Sequence, residues 1–252
     1  MFQPGLVSIT FRRRTPAQIV RLAARAGLRA IEWGGDVHVP HGDHETARTV
    51  RALTERAQLE VVAYGSYYRV GHSQSEGLAF TDVLRTAVEL GAPVVRVWAG
   101  NRNGEDADAQ YRRTIIEESR RLCELAAREG VLVAYEFHRG TLTNSAASAR
   151  ELLEAVRHPQ LRTLWQPPVG ASTAEAAQGL RLLLPWLSHL HVFQWNETQR
   201  RPLAEGRAAW REYLAIAGSS GRPCPALLEF VRDDDVAALF EDAATLRSWT
   251  VN

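Results

Sequence analysis

Two glutamates and three histidines interrupt runs that are otherwise apolar, and these are the side chains able to do chemistry. Residues 131–138 read Val-Leu-Val-Ala-Tyr-Glu-Phe-His, so in an extended chain Glu136 and His138 fall on the same side. Residues 187–193 read Leu-Ser-His-Leu-His-Val-Phe and put His189 and His191 on one face, while Glu229 stands alone in Ala-Leu-Leu-Glu-Phe-Val. An ionised carboxylate in such surroundings must be paired, protonated or bound to a cation, because unpaired burial costs on the order of several kcal/mol. A divalent ion shared by Glu136, His191 and Glu229, completed by an amide oxygen and water, satisfies both acids at once. The competing explanation is an ion pair between one of the acids and Arg96 or another base lining the same interior.

Elements must deliver these groups to one place. Short apolar runs alternate with longer stretches of helical period along the whole chain, eight times over. The expected strands are 6–11, 30–33, 60–66, 94–98, 131–137, 161–166, 187–193 and 226–230. The expected helices begin after Thr15-Pro16, an N-cap followed by proline at the first helical position, and stop at Gly27. They continue over 44–57, 76–90, 106–129, 145–156, 173–184, 207–217 and 234–249, with Gly91 and Gly130 as further stops. Eight consecutive strand–helix units close into a (β/α)8 TIM barrel, an α/β fold of one domain spanning residues 1–252. Neither GxGxxG nor GxxxxGK[ST] follows an early strand, which argues against the open nucleotide-binding sheets.

In such a barrel functional groups come from the C-terminal ends of the strands. That rule selects Glu32, Ser66, Arg96, Trp98, Glu136, His138, Gln166, His189, His191 and Glu229. Trp33, Trp98, Trp165 and Trp195 also fall at or just beyond strand ends, where indole faces suit the C–H surface of a sugar ring; core packing explains any one of them equally well. Residues 34–44 gather Asp36, His38, His41, Asp43 and His44 without the spacing of a compact zinc site, so a loop over the barrel mouth is the expectation.

Bulk composition narrows the partner. Thirty basic against twenty-nine acidic residues give a formal charge of +1, which offers no field for nucleic acid or an acidic membrane. The run Arg12-Arg13-Arg14 is read as a solvated loop. Two cysteines in unrelated contexts give neither a disulfide framework nor a metal pair, and no signal peptide or membrane-spanning run is legible. A cytoplasmic protein acting on a small molecule is the expectation.

The motifs Tyr135-Glu136-Phe137-His138, Leu164-Trp165-Gln166-Pro167, His189-Leu190-His191-Val192 and Leu228-Glu229-Phe230 resemble the xylose isomerase-like barrels of sugar isomerases and epimerases over essentially the full chain. In that family Glu, Asp, His and Glu from strands five to eight hold a divalent metal, Mn, Mg, Zn or Co. The resemblance therefore implies metal ligation by Glu136, Gln166, His191 and Glu229, with Gln166 standing where the family has Asp. Glutamine offers an oxygen but no charge, which weakens the expected affinity. His189 is open between a satisfied core histidine and a site residue.

The resemblance further implies an isomerase or epimerase of a sugar-like substrate, with Glu136 and Glu229 as catalytic acids and bases either side of a carbon next to a carbonyl. Glu32, Ser66, Arg96, Trp98, His138 and Trp195 are the expected substrate-binding residues. A dehydratase or lyase using the same metal site, and a metal-free carbohydrate-binding barrel, stay open as alternatives, as does a homo-oligomer.

Overall fold

The computed structural model describes residues 1–196 and 199–250. Eight parallel strands close into a barrel: β1 (Phe2–Val7), β2 (Ala30–Gly34), β3 (Glu60–Arg69), β4 (Val94–Trp98), β5 (Leu132–Tyr135), β6 (Leu161–Trp165), β7 (Leu187–Val192) and β8 (Cys224–Leu228). Each strand pairs with the next, and β8 returns to β1 through the register Phe2 to Cys224 and Leu6 to Leu228. Helices α1 (Pro16–Arg25), α2 (His44–Arg56), α3 (Phe80–Leu90), α4 (Ala109–Arg128), α5 (Ala146–Val156), α6 (Thr173–Leu183), α7 (Arg207–Gly218) and α8 (Val236–Thr250) alternate with the strands. An antiparallel ribbon of Trp195–Asn196 with Gln199–Arg200 extends the segment after β7.

Local chemistry explains the joints. Thr15 and Gln18 form a reciprocal capping box at the start of α1, with Pro16 inside the first turn. Gly91 closes α3 in the left-handed conformation, φ 76°, which an L side chain would resist.

The first strand lies four residues nearer the N-terminus than the apolar pattern suggests, and Ser8–Phe11 form a 3-10 turn instead. The displaced signal has a packing cause. A side chain at Gly5 would meet Leu227 Cδ2 at 2.5 Å and the Ala30 carbonyl oxygen at 2.6 Å, so glycine is what allows β1 to sit between β2 and β8. Strands β5 and β8 end one residue before Glu136 and Glu229, so both acids stand at the barrel rim.

Two kinds of core result. The sheet's outer face meets the helices through one large apolar cluster that includes Ile31, Trp33, Val95, Val97, Trp165 and Trp210. Inside the barrel the apolar layer is small, with Val7, Ile9, Ala30, Val62 and Leu227 in one group and Ala63, Val94 and Ala134 in another. Above it the interior is filled by charged and imidazole side chains instead of hydrocarbon.

Candidate metal and catalytic site

Strand alternation aims Glu32, Arg96, Glu136, His189, His191 and Glu229 into the barrel, and all six are buried. Arg96 is the hub. Its Nε donates to Glu32 Oε1 at 2.7 Å, and its Nη1 donates to Glu136 Oε2. The Trp98 indole N–H donates to the same Glu136 oxygen. Gly65 makes room for this packing, since a Cβ there would lie 2.3 Å from Arg96 Nη2 and 2.9 Å from Glu32 Oε1.

Glu32 also anchors the histidines. Its Oε2 lies 2.9 Å from His191 Nε2 and 3.2 Å from His189 Nε2, the first contact alone having hydrogen-bond alignment. This ties His191 Nε2 to a carboxylate and turns Nδ1 toward Glu229, 3.2 Å from its Oε2. That last approach is close but misaligned, so His191 Nδ1 is a buried nitrogen without a hydrogen-bond partner. A ring nitrogen held so, with its opposite N–H on a carboxylate, is the arrangement of a metal-ligating histidine.

The charges do not balance without a cation. Glu32, Glu136 and Glu229 face one guanidinium, leaving two negative charges when both imidazoles are neutral. Burial alone would lower the His191 pKa, but Glu229 and Glu32 outweigh it and push it up to about 10. In His189 burial prevails and the pKa falls. Burial would raise the carboxyls of Glu32 and Glu136, yet His191 and Arg96 hold the first well below its usual range, and Arg96 with His191 lowers the second. A protonated His191 therefore compensates part of the charge in the metal-free protein.

The donors also fit an ion sterically. One ligand atom from each of Glu136, His191 and Glu229 lies within 4.8 Å of the others, close to the span bridged by a cation with bonds of about 2.0–2.3 Å. Gln166 follows β6 at the next residue. Its Nε2 donates to the Phe137 carbonyl at 2.9 Å, which fixes the amide orientation and leaves Oε1 buried and unpartnered. The second cluster of this kind, Glu32 with His189 and His191, is fully buried, and its one carboxylate already pairs with Arg96. It supports His191 from below.

The architecture has a counterpart among known proteins. The sequence profile of the family described as "Xylose isomerase-like TIM barrel" matches residues 20–249. This chain belongs to that family. The xylose isomerase-like barrel is 28% identical to the 3-dehydroshikimate dehydratase of Bacillus anthracis, over an alignment of 247 residues covering 83% of this chain and 85% of that protein. Among solved structures it superposes with a TM-score of 0.80 on the "probable 3-DHS dehydratase" of Bacillus anthracis, 22% identical and covering 98% of each chain. It superposes with a TM-score of 0.73 on D-psicose 3-epimerase of Clostridium cellulolyticum H10, 15% identical, again over 98% of each chain. At those identities the two superpositions establish the fold alone.

Within this xylose isomerase-like barrel the expected site residues separate into layers. Glu136, His191 and Glu229 come together in one buried cluster, and Gln166 stands one residue past β6 with its Oε1 buried. Glu32 and Arg96, expected to touch substrate, lie fully buried as the ion-paired floor. Ser66 is buried too, and its hydroxyl is spent on backbone, donating to the Arg96 carbonyl at 2.6 Å and accepting from Tyr68 N–H. Trp98 and His138 stack at 4.9 Å beside Glu136, and half-buried Trp195 packs against Phe193 and Phe230. Trp33 and Trp165 are not part of a sugar-binding rim. Trp33 donates to Thr54 of α2, and Trp165 packs edge-on against Tyr213 of α7.

Residues 34–44 are anchored to the barrel. His38 Nδ1 lies 3.0 Å from Ser8 Oγ, and Tyr64 donates to the Val39 carbonyl at 2.8 Å. Among the described residues no metal-ligating cluster forms there.

Three mouth residues lay beyond the strand-end rule. Arg12 pairs with Asp36 across the β1 and β2 loops. The Arg69 guanidinium lies 3.9 Å from the centre of the Trp98 ring. Tyr67 occupies a bulge, where the β3–β4 register jumps between Gly65 and Tyr68, with φ 56°. That conformation costs a bulky residue about 1–3 kcal/mol, so the surrounding packing must enforce it. Gly65, a glycine inside a strand, was the available hint.

Proposed function

We propose that this protein is a metal-dependent lyase that removes water from a β-hydroxy ketone such as 3-dehydroshikimate. The observation carrying this reading is the unequal footing of the two rim carboxylates. Glu136 Oε2 receives both Arg96 and Trp98, which makes it a poor proton acceptor, whereas Glu229 has His191 as its one charged neighbour within ion-pair distance among the described residues. Such a site suits one base better than two equivalent ones. The relationship to the B. anthracis dehydratase supports the same choice.

A divalent ion held by Glu136, His191 and Glu229, with the Gln166 amide oxygen within its donor set, would polarise the substrate carbonyl and acidify the adjacent C–H. Glu229 takes that proton. Arg96 keeps Glu136 ionised, and Glu32 keeps the His191 ring oriented. Trp98 and His138 form a flat wall beside the reacting face. Loss of the β-hydroxyl from the resulting enolate completes dehydration. Epimerisation is the second reading, favoured by the presence of two carboxylates in the cluster; it requires Glu136 to deliver or accept a proton at the opposite face.

The test is an assay with 3-dehydroshikimate and with ketohexoses, each with added Mn²⁺ or after chelation. Metal-dependent formation of the unsaturated product is expected, and ketohexose epimerisation without dehydration would overturn the lyase reading. Gln166→Asp adds a carboxylate to the rim and is expected to tighten Mn²⁺ binding about tenfold or more, roughly 1.4 kcal/mol. Unchanged or weaker binding would remove Gln166 from the ligand set.

A further inference from the structure

We propose that Tyr67 is a further catalytic residue, its phenol protonating the departing hydroxyl; the assignment rests on the dehydration reading above. Hydroxide is a poor leaving group, so the step needs a proton donor distinct from the base.

The bulge in β3 sets up such a donor. Ser66 pins the strand on either side by its two backbone hydrogen bonds, and Tyr67 leaves the regular ladder in the left-handed conformation. The ring comes to rest over the groups that hold Glu136, with its centre 4.8 Å from the Arg96 guanidinium carbon and its ring edge-on to Trp98 at 5.8 Å. Its hydroxyl oxygen accepts from Arg12 Nη2 at 3.2 Å.

The hydroxyl proton distinguishes Tyr67 from Tyr64 and Tyr68 on the same strand and from Tyr111. Tyr64 donates to the Val39 carbonyl, Tyr68 to Glu118 at 2.6 Å and Tyr111 to Asn101 at 3.0 Å. Among the described residues the one well-aligned hydrogen bond of the Tyr67 hydroxyl is accepted from Arg12, so its own proton is free for a substrate oxygen at the half-open mouth. Burial raises its pKa, so the phenol is protonated at neutral pH. When the proton leaves, Arg12 and Arg96 favour the negative charge on oxygen, and the Asp36 carboxylate, paired with Arg12, opposes it. His138, the histidine stacked on this wall, keeps its Nδ1 against the Arg139 carbonyl.

The step balances. The C–H bond next to the carbonyl breaks and its proton passes to the Glu229 carboxylate, while the electron pair forms the new C=C bond. The β C–O bond breaks with its electrons, and the oxygen takes the Tyr67 proton and leaves as water. Protonated Glu229 and deprotonated Tyr67 then exchange one proton through solvent, so the net change is loss of water alone.

Tyr67→Phe in the metal-loaded protein is the test, with 3-dehydroshikimate in D2O. Dehydration is expected to fall about 10²-fold or more, while exchange of the acidic C–H for deuterium stays within about threefold of wild type, because that half-step uses Glu229. Full dehydration by the variant, or equal loss of exchange and dehydration, would overturn the role of Tyr67. A wild-type protein that catalyses exchange without dehydration would instead overturn the lyase reading. Should the Phe variant fail to fold, difluorotyrosine at position 67 keeps the ring and lowers the phenol pKa. The alkaline limb of kcat is then expected at lower pH, and an unmoved limb would contradict the proposal.

Discussion

Replacing Glu229 by Gln is expected to lower kcat by about 10³-fold or more while the barrel remains folded. The side chain keeps its shape and one oxygen but loses both the charge that would hold a cation and the capacity to accept a proton. Stability should fall less than on loss of an aligned buried hydrogen bond, because Glu229 makes none among the described residues and contributes through its charge on His191. Glu136→Gln should stop turnover too, yet it should also destabilise, since Arg96 and Trp98 both donate to the Glu136 carboxylate. Thermal melts and steady-state rates on the two variants separate these effects. Comparable rates for Glu229→Gln and wild type would remove the proposed base.

Arg96→Met is expected to cost about 3–5 kcal/mol, or roughly 10 °C in Tm, the penalty for breaking a buried ion pair from one side. Two carboxylates, Glu32 and Glu136, would lose their common guanidinium within a fully enclosed layer. The sign of the rescue is the sharper prediction. Adding Glu32→Gln to Arg96→Met removes one stranded charge, so the double variant should be more stable than Arg96→Met alone. Strictly additive losses would mean that Arg96 acts through packing and not through charge.

How much of this was legible beforehand depended on how local each signal was. Capping residues, glycine stops and apolar runs are local, and they placed all eight strand–helix units. The first strand was misplaced because Pro4 and Gly5 do not read as strand residues; Gly5 is required by Leu227 and Ala30, which approach from β8 and β2. Glu136, His191 and Glu229 were readable because polar residues in apolar strands are conspicuous. Their unequal pairing was not, because Arg96 meets Glu32 and Glu136 only after β2, β4 and β5 come together. Tyr67 escaped notice for a related reason: strand alternation points to Ser66, and only the bulge exchanges their roles.

Charge compensation by a cation among three rim side chains is the central claim, and calorimetric titration of chelator-stripped protein with Mn²⁺ tests it most directly. One ion per chain is predicted, accompanied at neutral pH by release of about one proton as His191, protonated below about 10 in the metal-free protein, gives up Nδ1. In the metal-free fold the same proton contributes stability that is lost as pH rises through that value, so metal binding should strengthen as pH increases. Binding of equal strength and stoichiometry in a Glu136→Gln, Glu229→Gln double variant, or no binding by wild type, would contradict the account.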